Sequence, residues 1–221
     1  VANEGQWPWD MTILENWTLQ HDLSIAGDYY LTGAELYLEG YTMNVNGTLY
    51  QPGGDLRVNG GTVDIDGDYL IQEADGVAST GYLSMWYPAD QIIVAGDFVM
   101  DSRNHDGKLT AGSLEIKGDF TQRSNSSAIY SYRSFATSNS HKVILSGVNQ
   151  SVSFQNPASG HSHFTELELA SSGTVTFASD VVVTDNIVNN LSSEPVNVTN
   201  LYPVGTATIN IGLSDEGEWP W

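Results

Sequence analysis

The chain contains no cysteine and few basic residues. Seven Lys and Arg stand against 27 Asp and Glu in 221 residues, which gives a formal net charge of −20. The lack of cysteine excludes disulfide bridges, thiolate catalysis and cysteine-ligated metal sites. The shortage of Lys and Arg argues against nucleic acid as a partner, because a phosphate-binding surface needs clustered cations. No apolar run reaches the ~18–20 residues that cross a bilayer, so we expect no membrane span.

Only 15% of the residues are charged, so uncharged polar side chains must cover much of the surface. This composition is typical of secreted proteins. The sequence begins Val1-Ala2-Asn3 without an initiator Met or an apolar leader. We therefore expect a processed or excised chain that works outside the cell or at its surface.

A repeat of about 20 residues organises the first half of the sequence. Residues 36–40 align with residues 56–60, and residues 43–47 align with residues 63–67. The glycines that close the units are separated by 20, 20, 29 and 22 residues; they are Gly27, Gly47, Gly67, Gly96 and Gly118. The long spacing predicts an insertion between Ala74 and Asp90.

Each unit alternates apolar and polar residues before its glycine, which is the pattern of a short strand with one buried face. Two such strands per ~20 residues fit the coils of a parallel β-solenoid, stacked about 4.8 Å apart. A less regular alternation continues as far as residues 209–211. We predict an all-β fold, a single-stranded parallel β-helix with coils of about 20–24 residues.

The units of the form Leu-x-Ile-x-Gly-Asp-Tyr/Phe, such as residues 114–120, resemble the right-handed β-helix repeats of large bacterial surface proteins and adhesins. The resemblance implies a solenoid architecture and a bacterial extracellular or cell-surface location. It points to no specific ligand.

Five segments follow from these patterns. They are a Trp-Pro-Trp motif in residues 1–10, a first solenoid half in 11–120, a Ser-rich segment in 121–141, a second half in 142–213, and a repeated Trp-Pro-Trp motif in 214–221. The Ser-rich segment has no acidic residue and contains Tyr130, Tyr132 and Phe135. We interpret it as a projecting loop or as a hinge between the halves.

An acidic residue follows most of the turn glycines: Asp28, Asp68, Asp97 and Asp119, with Thr48 in the equivalent place. These carboxylates could hold Ca²⁺ between coils, and Ca²⁺ is the one cofactor that we consider. They could instead accept backbone N–H groups of their own coil, which the presence of Thr48 favours. The next position forms a row that we predict to be internal: Tyr29, Leu49, Tyr69, Phe98 and Phe120.

Three aromatic residues lie in the predicted insertion: Tyr82, Trp86 and Tyr87. An insertion leaves the solenoid body, so these rings could stack on the sugars of a polysaccharide. Trp86 could equally anchor its own loop, and we favour that interpretation.

The motif Glu-Gly-x-Trp-Pro-Trp occurs at residues 4–9 and again at residues 216–221, an offset of 212 residues. A solenoid has open ends with unpaired strand edges, which must be capped or stacked. The residues of the two motifs are therefore candidates for contact with copies of the chain or with adjacent tandem repeats. Alternatively, they only cap the ends of a monomer. The candidates are Trp7, Pro8, Trp9, Trp219, Pro220 and Trp221.

The sequence shows no nucleophile elbow and no phosphate-binding loop. We therefore expect no enzyme, but a non-catalytic structural or adhesive module arranged head to tail. The alternative is a carbohydrate-binding module that uses its surface aromatic residues.

Overall fold

The alternation and the glycine spacing correctly predict the architecture. The computed structural model describes residues 6–191, 198–204 and 208–211, and these form an all-β parallel solenoid of about nine coils. Within them, helical structure is limited to two 3-10 turns, Ser131–Arg133 and Val198–Asn200. No helix in this part of the chain is long and apolar enough to cross a membrane.

The strands stack into three sheets, A, B and C, with parallel pairing between successive coils. Sheet A contains β1 (Gln6–Trp7), β4 (Leu23–Ile25), β7 (Thr42–Val45), β10 (Thr62–Ile65), β14 (Gln91–Val94), β16 (Ser113–Ile116), β18 (Lys142–Leu145), β20 (Phe164–Leu169), β22 (Val181–Asn189), β23 (Leu201–Pro203) and β24 (Thr208–Ile211). Sheet B contains β2 (Met11–Ile13), β5 (Tyr29–Leu31), β8 (Leu49–Tyr50), β11 (Tyr69–Ala74), β15 (Phe98–Asp101), β17 (Phe120–Arg123), β19 (Gln150–Phe154) and β21 (Val175–Phe177). Sheet C contains β3 (Trp17–Thr18), β6 (Glu35–Tyr37), β9 (Asp55–Arg57) and β13 (Tyr82–Ser84).

Each of the first four coils therefore has three strands, where the sequence pattern indicated two. In the second and third coils, the third strand is β6 or β9, at the start of the aligned residues 36–40 and 56–60. There Leu36 pairs with Leu56, and Tyr37 pairs with Arg57. Beyond β13, this side of the solenoid continues as isolated bridges: Met85 to Leu109, Leu109 to Thr137 and Ala136 to His163. The outer surface of sheet C thus extends over the middle coils without regular strands.

The predicted insertion is present, but most of it precedes Tyr82. Tyr50 pairs with Leu70, whereas Asp55 pairs with Tyr82, so the fourth coil gains residues between sheets B and C. Part of this excursion is β12 (Val77–Ala78), which runs antiparallel to the end of β11. Tyr82 lies in sheet C and Met85 bridges to Leu109, so the expectation that this segment leaves the solenoid body was wrong.

The predicted internal row is confirmed: Tyr29, Leu49, Tyr69, Phe98 and Phe120 are all fully buried. Phenylalanine dominates the middle of this core. The Phe120 ring centre lies 5.6 Å from that of Phe98, 5.0 Å from Phe154 and 5.0 Å from Phe164. Such offset and edge-to-face pairs add stabilisation beyond the apolar area that they bury.

Residues 121–141 neither project as one loop nor separate two halves. β17 occupies the start of the segment, and Phe135 is fully buried with its ring centre 4.9 Å from that of Phe120. Strand β16 pairs with β18 and β17 with β19, so sheets A and B run past the segment without a break. The excursion is limited to residues 124–133, which contain the first 3-10 turn.

The turn glycines stack with almost no space between coils. The Gly67 N–H donates to the Gly47 carbonyl at 3.0 Å, and the Gly96 N–H donates to the Gly67 carbonyl at 2.9 Å. A Cβ atom at Gly67 would lie 2.6 Å from the Gly47 oxygen. The repeat therefore needs glycine here because the backbones approach too closely for any side chain.

Candidate functional site on sheet C

Aromatic and cationic side chains from successive coils meet on the outer face of sheet C. The Arg57 guanidinium carbon lies 4.9 Å from the centre of the Tyr37 ring and 5.8 Å from that of Trp86. The pairing of Tyr37 with Arg57 places these two side chains on the same outward row. A cation over an aromatic face is attracted by the electron density of the ring.

The next coil adds two more cations to the same surface. Lys108 Nζ lies 4.8 Å from the ring centre of Tyr82 and 5.4 Å from that of Trp86. The Arg103 guanidinium lies 5.3 Å from the Tyr82 ring. Neither Lys108 nor Arg103 forms a salt bridge within the described part of the chain. These two cations therefore face aromatic rings without a direct ion pair, although the chain as a whole is strongly acidic.

Trp86 is held in place and also partly open to solvent. Its indole N–H donates to the Gly107 carbonyl at 3.1 Å, and its backbone N–H donates to Asp90 at 2.6 Å. The side chain is half-buried, while the neighbouring Tyr87 is 52% exposed. The ring thus anchors its segment between two coils and is still partly exposed to solvent.

Two carboxylates complete this cluster. Arg57 lies 3.1 Å from Glu35 and 3.8 Å from Asp55, and the Tyr37 hydroxyl donates to Glu35. Burial raises the pKa of Asp55, and the nearby Glu35 charge adds to that increase, while Lys108 and Arg57 oppose it. These acids fix the orientation of Arg57 and Tyr37, and their oxygens are acceptors that sugar hydroxyls can use.

The surface continues into the following coils through a second cluster. Arg133 forms a salt bridge with Asp106 at 2.8 Å, and its Nε donates to the Gly160 carbonyl at 2.8 Å. Its guanidinium lies 5.7 Å from the Tyr130 ring and 5.9 Å from the Tyr132 ring. The His161 ring centre is 4.4 Å from that of Tyr132. The excursion in residues 124–133 therefore carries its aromatic residues to the same side of the solenoid.

A shallow cleft of about 120 Å³ lies beside this second cluster. Its lining is largely polar and consists of Asp106, Arg133, Ala136, Ser159, Gly160, His161 and His163. His163 Nδ1 lies 3.0 Å from the His161 carbonyl oxygen, which can only accept, so this nitrogen carries the proton. Burial lowers the pKa of His163, which favours a neutral ring.

We call the whole surface the sheet C strip. It is defined by Tyr37, Arg57, Tyr82, Trp86, Arg103, Lys108, Tyr130, Tyr132, Arg133 and His161. Of the predicted sugar-binding residues, Tyr82 and Trp86 belong to it, while Tyr87 lies at its side. The sequence analysis did not identify the basic residues of the strip, because their contact with aromatic rings depends on how the coils stack. The sequence gives one sign of such a contact, the 20-residue spacing that aligns Tyr37 with Arg57.

The aspartate ladder joins neighbouring coils, so the expectation that each carboxylate accepts N–H groups of its own coil was wrong. Asp28 Oδ1 accepts the N–H of Thr48 at 2.8 Å, and Asp68 Oδ1 accepts that of Asp97 at 2.8 Å. Asp97 does the same for Asp119. Each of these Oδ1 atoms therefore accepts a backbone N–H of the next coil. No group of three or more His, Asp or Glu in the described residues is arranged to hold a metal ion.

Within the described ranges, no strand pairs with the outer side of the first coil. Among the described residues, β1, β2 and β3 each have a neighbour on one side only. Trp7 is 41% exposed and Trp9 is 74% exposed beside these edges. The second motif, with Trp219, Pro220 and Trp221, lies outside the described residues, so its position relative to the first is not given.

No protein-family profile, curated protein or solved structure matches this chain.

Proposed function

We propose that the chain is a non-catalytic structural or adhesive module of a bacterial extracellular or cell-surface protein, which associates end to end with copies of itself or with adjacent repeats. The observation that carries the proposal is the open first coil. Its three strand edges and the exposed Trp7 and Trp9 lie together at one end of the solenoid.

Physical chemistry favours such a contact. Unpaired strand edges are templates for pairing, and a solenoid gains a further coil interface whenever another strand stacks on them. Trp gives a large apolar contact area at a small cost in conformational entropy. A contact between the two unlike ends of a rod does not close, so it builds filaments. The recurrence of the motif at residues 216–221 supports the second copy as the partner.

The test is sedimentation velocity with negative-stain electron microscopy, at moderate salt that screens the net charge of −20. We expect concentration-dependent rods that lengthen by whole units. A Trp7→Ala/Trp9→Ala double variant should stay monomeric. The matched control is Ile129→Ser, which removes an apolar side chain with 79% exposure away from the first coil. A wild-type chain that is monomeric at every concentration would overturn the proposal.

The sheet C strip favours a second candidate function, the binding of carbohydrate. A half-buried Trp86 with Tyr82 and Tyr37 nearby gives rings on which sugars can stack, and charged side chains around them can bond sugar hydroxyls. In affinity gels that contain polysaccharide, we expect the wild type to be retarded and Trp86→Ala to run freely. Tyr202→Ala, at an exposed tyrosine on β23, is the control. Equal migration of Trp86→Ala and wild type would exclude this role for the strip.

A further inference from the structure

We propose that the sheet C strip binds an acidic polysaccharide, one that carries uronate carboxylates, and that the glycan lies along the solenoid axis. This inference rests on the second candidate function and names the class of its ligand. It also extends the site from the aromatic residues of one segment to six successive coils.

The residues of the strip contact one another from coil to coil. Tyr37 contacts Arg57, Arg57 contacts Trp86, and Lys108 lies over the ring of Trp86. In the following coil, the backbone carbonyl of Arg133 accepts the N–H of His105. The Arg133 guanidinium forms a salt bridge with Asp106, which lies in the same coil as Lys108. Tyr132 contacts the ring of His161 in the coil after that. Five steps between coils amount to roughly 24 Å, a length that suits a chain of several sugars.

The second step is charge. Four of the seven basic residues lie on the strip: Arg57, Arg103, Lys108 and Arg133. Four of the 27 acidic residues, Glu35, Asp55, Asp90 and Asp106, accompany them, so the strip is formally neutral. The rest of the chain then carries −20. The strip is thus a surface on which cations offset the repulsion that the acidic chain exerts on a polyanion.

The third step is chemistry. Lys108 and Arg103 face aromatic rings and form no salt bridge among the described residues, so their N–H groups can serve a ligand carboxylate. Charged donors bond carboxylates more strongly than neutral groups do. The partly exposed rings beside the cations add apolar surface that the C–H groups of a pyranose can contact. Aromatic and cationic groups thus alternate along the strip, as an acidic glycan requires.

The experiment compares pairs of polymers that share a backbone and differ in charge. The acidic members are polyglucuronate, polygalacturonate and alginate. Their uncharged counterparts are hydroxyethyl cellulose, methyl-esterified pectin and propylene-glycol alginate. Binding of the full chain is measured by affinity electrophoresis and calorimetry at low and at high salt. We expect at least one acidic polymer to bind, its neutral counterpart to bind about tenfold more weakly or worse, and the affinity to fall with salt.

Variants locate the binding. Arg57→Gln/Lys108→Gln should weaken acidic polymer binding by about tenfold or more, and Arg133→Gln should also weaken it. Lys117→Gln/Lys142→Gln removes the same charge away from the strip and should leave binding unchanged. Arg57→Lys/Lys108→Arg keeps the charge and should restore most of the affinity, provided that circular dichroism shows each variant folded.

The outcomes separate the two levels of the proposal. Equal binding of acidic and neutral polymers, both lost in Trp86→Ala, would overturn the acidic ligand and keep carbohydrate binding. Equal loss in the Lys117→Gln/Lys142→Gln control would also overturn the strip as the anion site. If none of the six polymers binds, both the acidic ligand and the carbohydrate function fail.

Discussion

Asp97 and Asp119 lie on successive coils, and Asp97 Oδ1 accepts the backbone N–H of Asp119 at 2.8 Å. The same bond joins Asp10 to Asp28 and Asp68 to Asp97, while the Thr48 hydroxyl takes the place of a carboxylate and lies 3.4 Å from the Asp68 nitrogen. The row is therefore a set of links between coils, in which a hydroxyl can substitute for a carboxylate. This explains why Thr48 is tolerated.

The first prediction concerns this ladder. Asp97→Ala removes the acceptor for the Asp119 N–H and should lower the free energy of unfolding by about 1 kcal/mol, since both residues are exposed and water takes over part of the bond. Asp97→Asn keeps an acceptor oxygen and should cost little. Urea denaturation measures both. A large loss in Asp97→Asn, together with a melting temperature that falls on addition of chelator, would support bound Ca²⁺ instead.

The second prediction concerns the stacked glycines. Gly67→Ala places a Cβ atom 2.6 Å from the Gly47 oxygen, so two coils must separate locally, and we expect a loss of roughly 1–3 kcal/mol. Gly33→Ala is the matched control, because a Cβ atom there meets no atom within 4 Å. Thermal unfolding should distinguish the two variants. Equal melting temperatures would mean that the coils are not packed as closely as described.

The third prediction is a loss of stability in mild acid. Burial lowers the pKa of His105 to about 4 and that of His141 to about 3, from the usual 6.5. The unfolded chain therefore takes up protons below pH 6.5 that the folded chain refuses, so stability falls as pH falls. At pH 5 each histidine should cost roughly 2 kcal/mol relative to pH 7.

His141→Leu tests the acid effect. Neither ring nitrogen of His141 has a hydrogen-bond partner among the described residues, so the substitution should cost little at pH 7. It should reduce the stability change between pH 7 and pH 5 by roughly 2 kcal/mol, as measured by urea denaturation at each pH. His21→Gln, at a partly exposed histidine, should leave the change intact. An unaltered pH dependence in His141→Leu would contradict the assignment.

The fourth prediction tests the Ser-rich segment. Phe135 is fully buried against Phe120 and Phe164, so Phe135→Ala should destabilise the chain by about 3–5 kcal/mol. Ile129→Ala lies only six residues away on the exposed excursion and should change stability by less than about 0.5 kcal/mol. A projecting loop or a hinge would instead tolerate both changes, and chemical denaturation would then show two unaltered midpoints.

The sequence predicted the solenoid well because inward and outward positions alternate with a strict period and glycine closes each turn. The internal position of Tyr69 and Phe98 follows from that period alone. The sequence did not reveal the third strand of each coil, because that strand has the same apolar–polar alternation as the other two. Its residues were therefore read as further copies of the same unit.

The sheet C strip could be predicted only in part. Tyr82 and Trp86 stood out as aromatic residues in an irregular segment, whereas Lys108 and Arg133 belong to loops whose lengths break the repeat. The two loops are brought together by the bridges from Met85 to Leu109 and from Leu109 to Thr137. No regular spacing in the sequence indicates that these residues lie close to each other. For the same reason, Phe135 was assigned to a loop when it fills the core.

The phenylalanine cluster makes the free energy of local unfolding differ between the coils of the solenoid. Coils of a solenoid support only their neighbours, so local unfolding starts at the ends and spreads inward. Phe98, Phe120, Phe154 and Phe164 join several middle coils into one packed unit, whereas the first coil has neighbours on one side only within the described residues. Amide hydrogen exchange should therefore be slower at the phenylalanine cluster than at the first coil. The end that we propose as a joint is thus freer to rearrange, when another copy docks, than the middle of the rod.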